Sequence, residues 1–347
     1  MNLAVGSILV NFSEHCSIGC AHCGYAGSPR GFQASDQDLA DWNRQIAQAG
    51  VPLVIYTGGE PFQRMSLLTH GVSNAVSQGL RVGVFTSAFW ARKPSTAEAR
   101  LAQLPGLTEL YVSSDRFHQA VVHPDCVRNA IEAALNVSSL RVILCVTYSD
   151  PSEVETALSR IPDAVAHPRF KVHSAPVIPT PHISSSTFPR GDKLKSLADF
   201  EGKSSCFLHT PLISPQGNVF ACHIGKVEAH GDAKASPYYL GSLREASLSE
   251  ILSCASKSSH YRFLRAHGPD GVARFAQRIL GIEPNERRPE YCNECSMCFE
   301  TIGSPERGKL FVAYADSDDA SEDTELALTF GLGGSYGGQH DAKRRSP

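Results

Sequence analysis

Three cysteines stand close together near the start of the chain, in the run Cys16-Ser-Ile-Gly-Cys20-Ala-His-Cys23. This C-x3-C-x2-C spacing lets one loop present three thiolates to a single metal centre. On a four-iron cluster, three cysteines would leave one iron without a protein ligand. A zinc ion would instead take four ligands, and His15 or His22 could supply the fourth. The spacing alone therefore leaves an iron–sulfur cluster and a zinc site as alternatives.

A glycine turn with one carboxylate follows a second apolar run, as Thr57-Gly58-Gly59-Glu60-Pro61. Glycines allow the backbone to approach a ligand closely. The carboxylate offers an acceptor for a cationic group such as an ammonium. Taken alone, the motif is also typical of a simple turn from a strand into a helix, so its meaning depends on the cysteines before it.

The two motifs, in this order, resemble the signature of the radical S-adenosylmethionine (SAM) superfamily, in which C-x3-C-x-Φ-C precedes Gly-Gly-Glu. The resemblance covers residues 5–180 in layout. It implies a [4Fe-4S] cluster on the three cysteines, with SAM bound at the iron that lacks a cysteine. It further implies that Gly58, Gly59 and Glu60 bind the amino group of SAM. His22 occupies Φ, which is usually aromatic in the family, and is assigned to the cofactor site with them.

Polar residues also end the third and fourth apolar runs. Thr86 stands where the family often has Thr-Asn-Gly, and Ser114 and Asp115 stand where relatives place polar groups near SAM. Barrel enzymes bind ligands at the carboxyl ends of their strands, which favours a cofactor role for all three. Ser and Asp are equally typical of turns and helix caps, so that interpretation stays open.

A second group of cysteines lies in the last third of the chain. One precedes a G-x4-C unit (Gly217 to Cys222), and the group closes with a C-x2-C-x2-C run. Its members are Cys206, Cys222, Cys292, Cys295 and Cys298.

Over residues 200–300 this order resembles the SPASM and twitch extensions of radical SAM enzymes, which bind auxiliary iron–sulfur clusters. A full SPASM extension has more cysteines, in a C-x2-C-x5-C-x3-C pattern, whereas this chain has none after Cys298. We therefore expect one auxiliary cluster of the [4Fe-4S] type, with five cysteines competing for four places. A structural zinc site with four cysteines is the alternative.

Cys145 lies in the fifth apolar run, where its side chain could point into a barrel. A thiol there could donate a hydrogen atom to a substrate radical, as in some radical SAM epimerases. Packing as a small buried hydrophobe is the alternative interpretation.

Apolar strands alternate with helical stretches over the first 180 residues, which predicts a parallel sheet covered on both faces. We predict an α/β fold: a partial (β/α)6 TIM-like barrel over residues 1–190, with the cysteine-rich SPASM/twitch-like extension over 200–312. A proline-rich connector, Pro176–Pro189, joins them. The acidic and then glycine-rich residues 313–347 predict a flexible tail. The predicted strands are Ser7–Phe12, Leu53–Tyr56, Arg81–Phe85, Glu109–Val112, Arg141–Tyr148 and Phe170–Val177.

Composition excludes several classes of protein. The 347 residues carry a formal net charge of −3, which gives no sign of binding to nucleic acid or a membrane surface. No apolar run reaches the roughly 18 residues that a membrane span needs, and the N-terminus does not resemble a signal peptide. Eleven cysteines without such a signal argue against a disulfide framework. We expect a cytoplasmic protein that binds neither nucleic acid nor membranes.

Three functions follow as hypotheses. The extension favours an enzyme that cross-links, epimerises or oxidises a ribosomally made peptide. The chain begins at the first predicted strand, so a separate leader-binding protein is expected for this hypothesis. A small-molecule dehydrogenase or epimerase, for example on an amino sugar, is the second hypothesis. Either enzyme would need an electron donor such as flavodoxin or ferredoxin. A non-enzymatic zinc-binding scaffold is the third.

Overall fold

The computed structural model describes residues 5–25, 27–137, 139–178, 194–203, 206, 210–223 and 232–330. Residues 179–189 of the connector lie outside them. The strands are β1 (Ile8–Ser13), β2 (Leu53–Gly58), β3 (Arg81–Thr86), β4 (Glu109–Ser113), β5 (Arg141–Tyr148), β6 (Phe170–Pro176), β7 (Leu212–Ile213), β8 (Asn218–Phe220) and β9 (Tyr239–Ser242).

Helices follow most of the strands. Among the described residues, no helix has the length and apolar content that a membrane span requires. The α-helices are α1 (Asp36–Gln48), α2 (Met65–Ser77), α3 (Pro94–Leu101), α4 (Arg116–Gln119), α5 (Pro124–Asn136), α6 (Ser152–Leu158), α7 (Pro162–Val165), α8 (Leu248–Lys257), α9 (Ser259–Ile279), α10 (Glu294–Ile302), α11 (Pro305–Ala315) and α12 (Asp318–Phe330).

The first six strands form a parallel sheet in chain order from β1 to β6. Their β/α alternation confirms the predicted α/β, partial TIM-like barrel. On β5, Val142, Leu144 and Val146 are buried in the core under the helices. Because side chains alternate along a strand, Cys145 faces the opposite side, the interior of the barrel.

The sheet continues beyond β1 through three further strands, whose pairing with β1 the sequence did not predict. β7 pairs parallel to β1 through Leu9 with Leu212, and β8 and β9 then add in antiparallel order. The hairpin joins the barrel because Ile213 and Val219 are fully buried in the barrel core. The strand that leads to Cys222 is thus fixed to the same sheet as the first cysteine loop.

A second apolar core lies under the C-terminal helices and borders the second cysteine group. Cys206, Cys222 and Cys298 pack against this core. Its larger members are Leu197, Phe200, Tyr238, Tyr261, Phe263, Phe275, Tyr291, Met297 and Phe311.

The prediction of a flexible tail from residue 313 is wrong for its first part, where the chain completes α11 and forms α12. The acidic residues of this segment were the reason for predicting a flexible tail, but they form ion pairs with basic residues on α9. Arg274 bonds to Asp323 at 2.9 Å. Ala320 and Thr324 on the same helix are buried. Residues 331–347 of the predicted tail lie outside the described residues.

Candidate functional site

The first cysteine loop packs directly on the glycine turn at the carboxyl ends of β1 and β2. The Gly59 amide donates to the Ser13 carbonyl at 2.7 Å, and the Glu60 amide donates to the His15 carbonyl at 3.0 Å. A Cβ atom on Gly59 would lie 2.2 Å from the His15 oxygen and 3.0 Å from Cys16 Cβ. Only glycine fits at this position, so the turn sets the position of the loop.

Gly58 also leaves no room for a side chain, and its backbone conformation in addition favours glycine. Its φ is 141°, which L side chains rarely adopt, and a Cβ there would lie 2.2 Å from the Ser13 carbonyl oxygen. Both glycines of the motif are therefore needed for the approach of β2 to β1, whatever they bind.

Glu60 is buried, with 2% of its surface exposed, and its carboxylate is held from several sides. Oε1 accepts from the Phe62 amide at 3.1 Å and the Thr86 hydroxyl at 2.9 Å. Oε2 accepts from the Ser87 amide at 2.8 Å and the Ser87 hydroxyl at 2.6 Å. Burial raises the pKa of Glu60, although these hydrogen bonds oppose the rise. The carboxylate is fixed in one orientation beside the cysteine loop.

Thr86 supports Glu60 through a network at the end of β3. Its hydroxyl donates to Glu60 and accepts from the Ala88 amide at 3.0 Å and from Trp90 Nε1 at 2.9 Å. Ala88 has a φ of 64°, a left-handed conformation that is uncommon for any residue but glycine. This is the glycine position of the family's Thr-Asn-Gly. The role of Thr86 toward the cofactor itself remains a prediction.

Asp115 and two histidines stand beside the second cysteine of the loop. Asp115 Oδ2 lies 2.8 Å from His118 Nδ1 and 3.7 Å from His22 Nε2. Burial alone would lower the pKa of His118, but its hydrogen bonds to Asp115 and to the Cys20 thiol raise it to about 10. Burial lowers the pKa of His22 to about 4, and its ring stacks on Phe117 with centroids 4.6 Å apart. The charged imidazole of His118 thus lies next to Cys20, and the neutral imidazole of His22 lies beside that of His118.

The predicted cofactor residues at the end of β4 already have structural roles. Asp115 caps α4 by accepting from the Phe117 and His118 amides, each at 3.0 Å. Ser114 is buried and its hydroxyl accepts from Gln119 at 2.7 Å. The cap interpretation is therefore correct for Asp115, and a contact of either residue with SAM remains a prediction.

Cys145 lies inside the barrel, in register with Ser113 on β4 and His173 on β6. Burial, with the charge of Asp115, raises the pKa of its thiol to about 12, so the sulfur keeps its proton. His223, next to Cys222, is partly buried; desolvation lowers its pKa to about 4, and the charge of His173 is a further cause.

Four thiols of the second group influence one another. Burial raises the pKa of Cys298, and the charges of Cys206, Cys222 and Cys295 raise it further. Burial likewise raises the pKa of Cys295, with the charges of Cys206 and Cys222 as the next causes and those of Glu294 and Cys292 after them. These four thiols come from three separate segments of the chain, and their charges act on one another.

Cys292 differs from the other four. It is buried, and its thiol donates to the Val177 carbonyl at 3.1 Å and to Ser296 Oγ at 3.3 Å. These bonds tie the beginning of the C-x2-C-x2-C run to the end of β6. These contacts distinguish Cys292 from the other four cysteines, and which four of the five bind a cluster remains a prediction.

A zinc ion and an iron–sulfur cluster require different spacings of their ligand atoms. In the described part of the chain, only His22, Asp115 and His118 bring three candidate ligand atoms within 4.8 Å of one another. Thiolates on tetrahedral zinc, with Zn–S bonds of about 2.3 Å, would lie about 3.8 Å apart. A cubane instead spreads its ligands over separate iron atoms. The choice between a cluster and a zinc ion at each cysteine set remains a prediction.

Several neighbours of the site were not identified from the sequence. Phe62 and Trp90 stack 4.2 Å apart beside Glu60, and the Tyr238 hydroxyl lies 3.4 Å from Cys298 Sγ. Ser87 could have been found, because it directly follows Thr86. Nothing near Tyr238 in the sequence marks it, since 60 residues separate it from Cys298.

No protein-family profile matches the chain, and no curated protein matches its sequence. Among solved structures it is similar to SuiB of Streptococcus suis bound to S-adenosylmethionine, with a TM-score of 0.50 and 15% identity over 71% of this chain. SuiB bound to its precursor peptide SuiA gives 0.47 and 14% over 71%, covering 64% of that structure. The radical SAM methyltransferase TsrM of Kitasatospora setae gives 0.40 and 13%, covering 75% of this chain and 56% of TsrM.

The chain shares its fold with the SuiB structure, which confirms the predicted α/β, partial TIM-like barrel. It spans 65% of the length of that structure. At 15% identity this likeness shows the fold alone, and a function has to be inferred from the residues of the site.

Proposed function

We propose that the chain is a radical SAM enzyme, in which the thiolates of Cys16, Cys20 and Cys23 hold a [4Fe-4S] cluster that leaves one iron open for SAM. When bound, this cluster supplies the electron that cleaves SAM to a 5′-deoxyadenosyl radical, which abstracts a hydrogen atom from the substrate. The observation that carries the proposal is the contact of the cysteine loop with the Gly58-Gly59-Glu60 turn at the carboxyl ends of the barrel strands.

The residues around the loop have assigned tasks in this proposal. Gly58 and Gly59 bring the turn close to the cysteines, and Glu60 offers a fixed carboxylate for the ammonium of SAM. Because its donors Thr86 and Ser87 hold it in place, binding needs little reordering of the side chain. The His22 ring, two residues after Cys20, stacks on Phe117.

We further propose that Cys206, Cys222, Cys295 and Cys298 hold one auxiliary [4Fe-4S] cluster. Their mutual proximity and the separate bonds of Cys292 support this choice of four. Four protein ligands would close the cluster to substrate, which suits transfer of electrons rather than binding of SAM. The electron for the first cluster would come from a donor such as flavodoxin or ferredoxin.

The proposed substrate is a ribosomally made peptide, which the radical would cross-link, epimerise or oxidise. This part depends on the cysteine-rich extension, a type common in peptide maturases, and a separate leader-binding protein would then present the substrate. An epimerase or dehydrogenase acting on a small molecule is the second candidate. The interior position of the protonated Cys145 thiol favours epimerisation in either class, because it offers a hydrogen atom inside the barrel.

Formation of 5′-deoxyadenosine tests the proposal without a known substrate. The chain would be prepared without oxygen, reconstituted with iron and sulfide, and incubated with SAM and dithionite. We expect a brown protein with about eight iron and eight sulfide per chain, and slow release of 5′-deoxyadenosine. Cys126→Ser, which changes a buried thiol on α5, is the matched control and should behave like the wild type. A colourless protein that holds stoichiometric zinc and leaves SAM intact would support the scaffold instead.

A further inference from the structure

Tyr238 places a hydroxyl on one thiol of the second cysteine group. Its Oη atom lies 3.4 Å from Cys298 Sγ, and only 2% of the residue is exposed. The Tyr238 carbonyl accepts from the Ala221 amide at 2.7 Å, which holds the residue beside Cys222 as well. The tyrosine is therefore fixed by the backbone next to two of the four proposed ligands.

The direction of this hydrogen bond follows from the chemistry of a metal-bound cysteine. A thiolate has no proton and can only accept, so the phenol must donate to sulfur once Cys298 binds iron. Hydrogen bonds to ligand sulfur atoms are among the factors that set the potential of an iron–sulfur cluster. A donor stabilises negative charge on sulfur, and the reduced cluster carries more of it than the oxidised cluster does.

We propose that Tyr238 is a positioning residue that raises the reduction potential of the auxiliary cluster by donating a hydrogen bond to Cys298. This inference rests on the proposed function, because it requires a cluster on Cys206, Cys222, Cys295 and Cys298. It also specifies how the auxiliary cluster would serve that function: a higher reduction potential makes the cluster a better acceptor of an electron from a substrate radical.

The experiment is a redox titration of the auxiliary cluster followed by electron paramagnetic resonance. The full-length chain carrying Cys16→Ala, Cys20→Ala and Cys23→Ala would isolate the auxiliary signal. Tyr238→Phe in this background should lower the midpoint potential while iron and sulfide content stay unchanged. Tyr56→Phe is the matched control, because it removes a buried hydroxyl that bonds to Asn43 and Gly71, at 2.8 Å each, within the barrel core. Its potential should equal that of the background chain.

An unchanged potential in Tyr238→Phe with a full cluster would overturn the inference. If Tyr238→Phe fails to hold the cluster, 3-fluorotyrosine installed at position 238 alone gives a second test. Fluorine makes the phenol a stronger donor, so the potential should rise, and no change would again overturn the inference. A background chain that binds no second cluster would instead contradict the auxiliary site of the proposed function, which separates the two failures.

Discussion

The two cysteine sets of this chain differ in how the fold assembles them. The first set stands on one loop after β1, has three thiols and faces a fixed carboxylate, Glu60. The second set draws four thiols from the segment before β7, the end of β8 and α10, and packs against the second apolar core. In the proposed function, the three thiols of the first set would leave one iron open beside the Glu60 carboxylate. The four thiols proposed for the second set would fill every position of their cluster and link three segments of the chain.

The largest expected effect on activity comes from a substitution in the first cysteine set. Cys20→Ala should reduce 5′-deoxyadenosine formation to background, because two thiolates cannot hold the cluster that activates SAM. Iron content should fall by about half, since the second set is intact. The measurement is 5′-deoxyadenosine by liquid chromatography together with iron analysis. Release of 5′-deoxyadenosine at the wild-type rate would show that the loop does not carry the chemistry.

Two cysteines of the C-x2-C-x2-C run, Cys292 and Cys298, should respond differently to substitution by serine. Cys298→Ser should lose the auxiliary cluster and the product while leaving some uncoupled cleavage of SAM. Cys292→Ser should keep the cluster and change the free energy of unfolding by about 1 kcal/mol, because serine can still donate to the Val177 carbonyl. Iron content and chemical denaturation measure both effects. Cluster loss in Cys292→Ser with retention in Cys298→Ser would reverse the proposed assignment.

A substitution in the glycine turn tests whether the position of the first cysteine set depends on contact with that turn. Gly59→Ala introduces a methyl group 2.2 Å from the His15 carbonyl, so the loop must shift, at a cost of about 1–3 kcal/mol. We expect weaker incorporation of the first cluster with the auxiliary cluster retained. Gly6→Ala is the control, because a Cβ there meets nothing within 4 Å. Equal cluster content in the two variants would mean that the turn does not position the cysteines.

Cys145 gives the smallest effect, since it belongs to neither set. If its thiol donates a hydrogen atom, Cys145→Ala in deuterated water should yield product without solvent deuterium at the reacting carbon. Formation of 5′-deoxyadenosine should persist, because the thiol acts after SAM is cleaved. Mass spectrometry of the product provides the measurement. Product with the normal deuterium content would assign Cys145 to packing.

Local patterns predicted the barrel well, because its signals are contained in short stretches of sequence. The apolar runs locate all six strands, and Arg141–Tyr148 matches β5 at both ends. The cysteine loop and the Gly58-Gly59-Glu60 turn were also identified, since each motif is contiguous.

Contacts between distant segments could not be predicted in this way. The pairing of β7 with β1, and the bond between Tyr238 and Cys298, join residues far apart in sequence. The acidic α12 looked flexible because its cationic partners, such as Arg274, lie on another helix. Composition describes a segment by itself, whereas here the tertiary partners decide its structure.

The difference between an open and a closed site is tested most directly with isotope-labelled SAM. Electron–nuclear double resonance on the reduced protein would use SAM labelled with 15N in its amino group and 17O in its carboxylate. We predict coupling of both labels to one cluster, retained in Cys298→Ser and lost in the chain with Cys16→Ala, Cys20→Ala and Cys23→Ala. Coupling that survives the loss of these three cysteines, or its absence from the wild-type chain, would contradict the account.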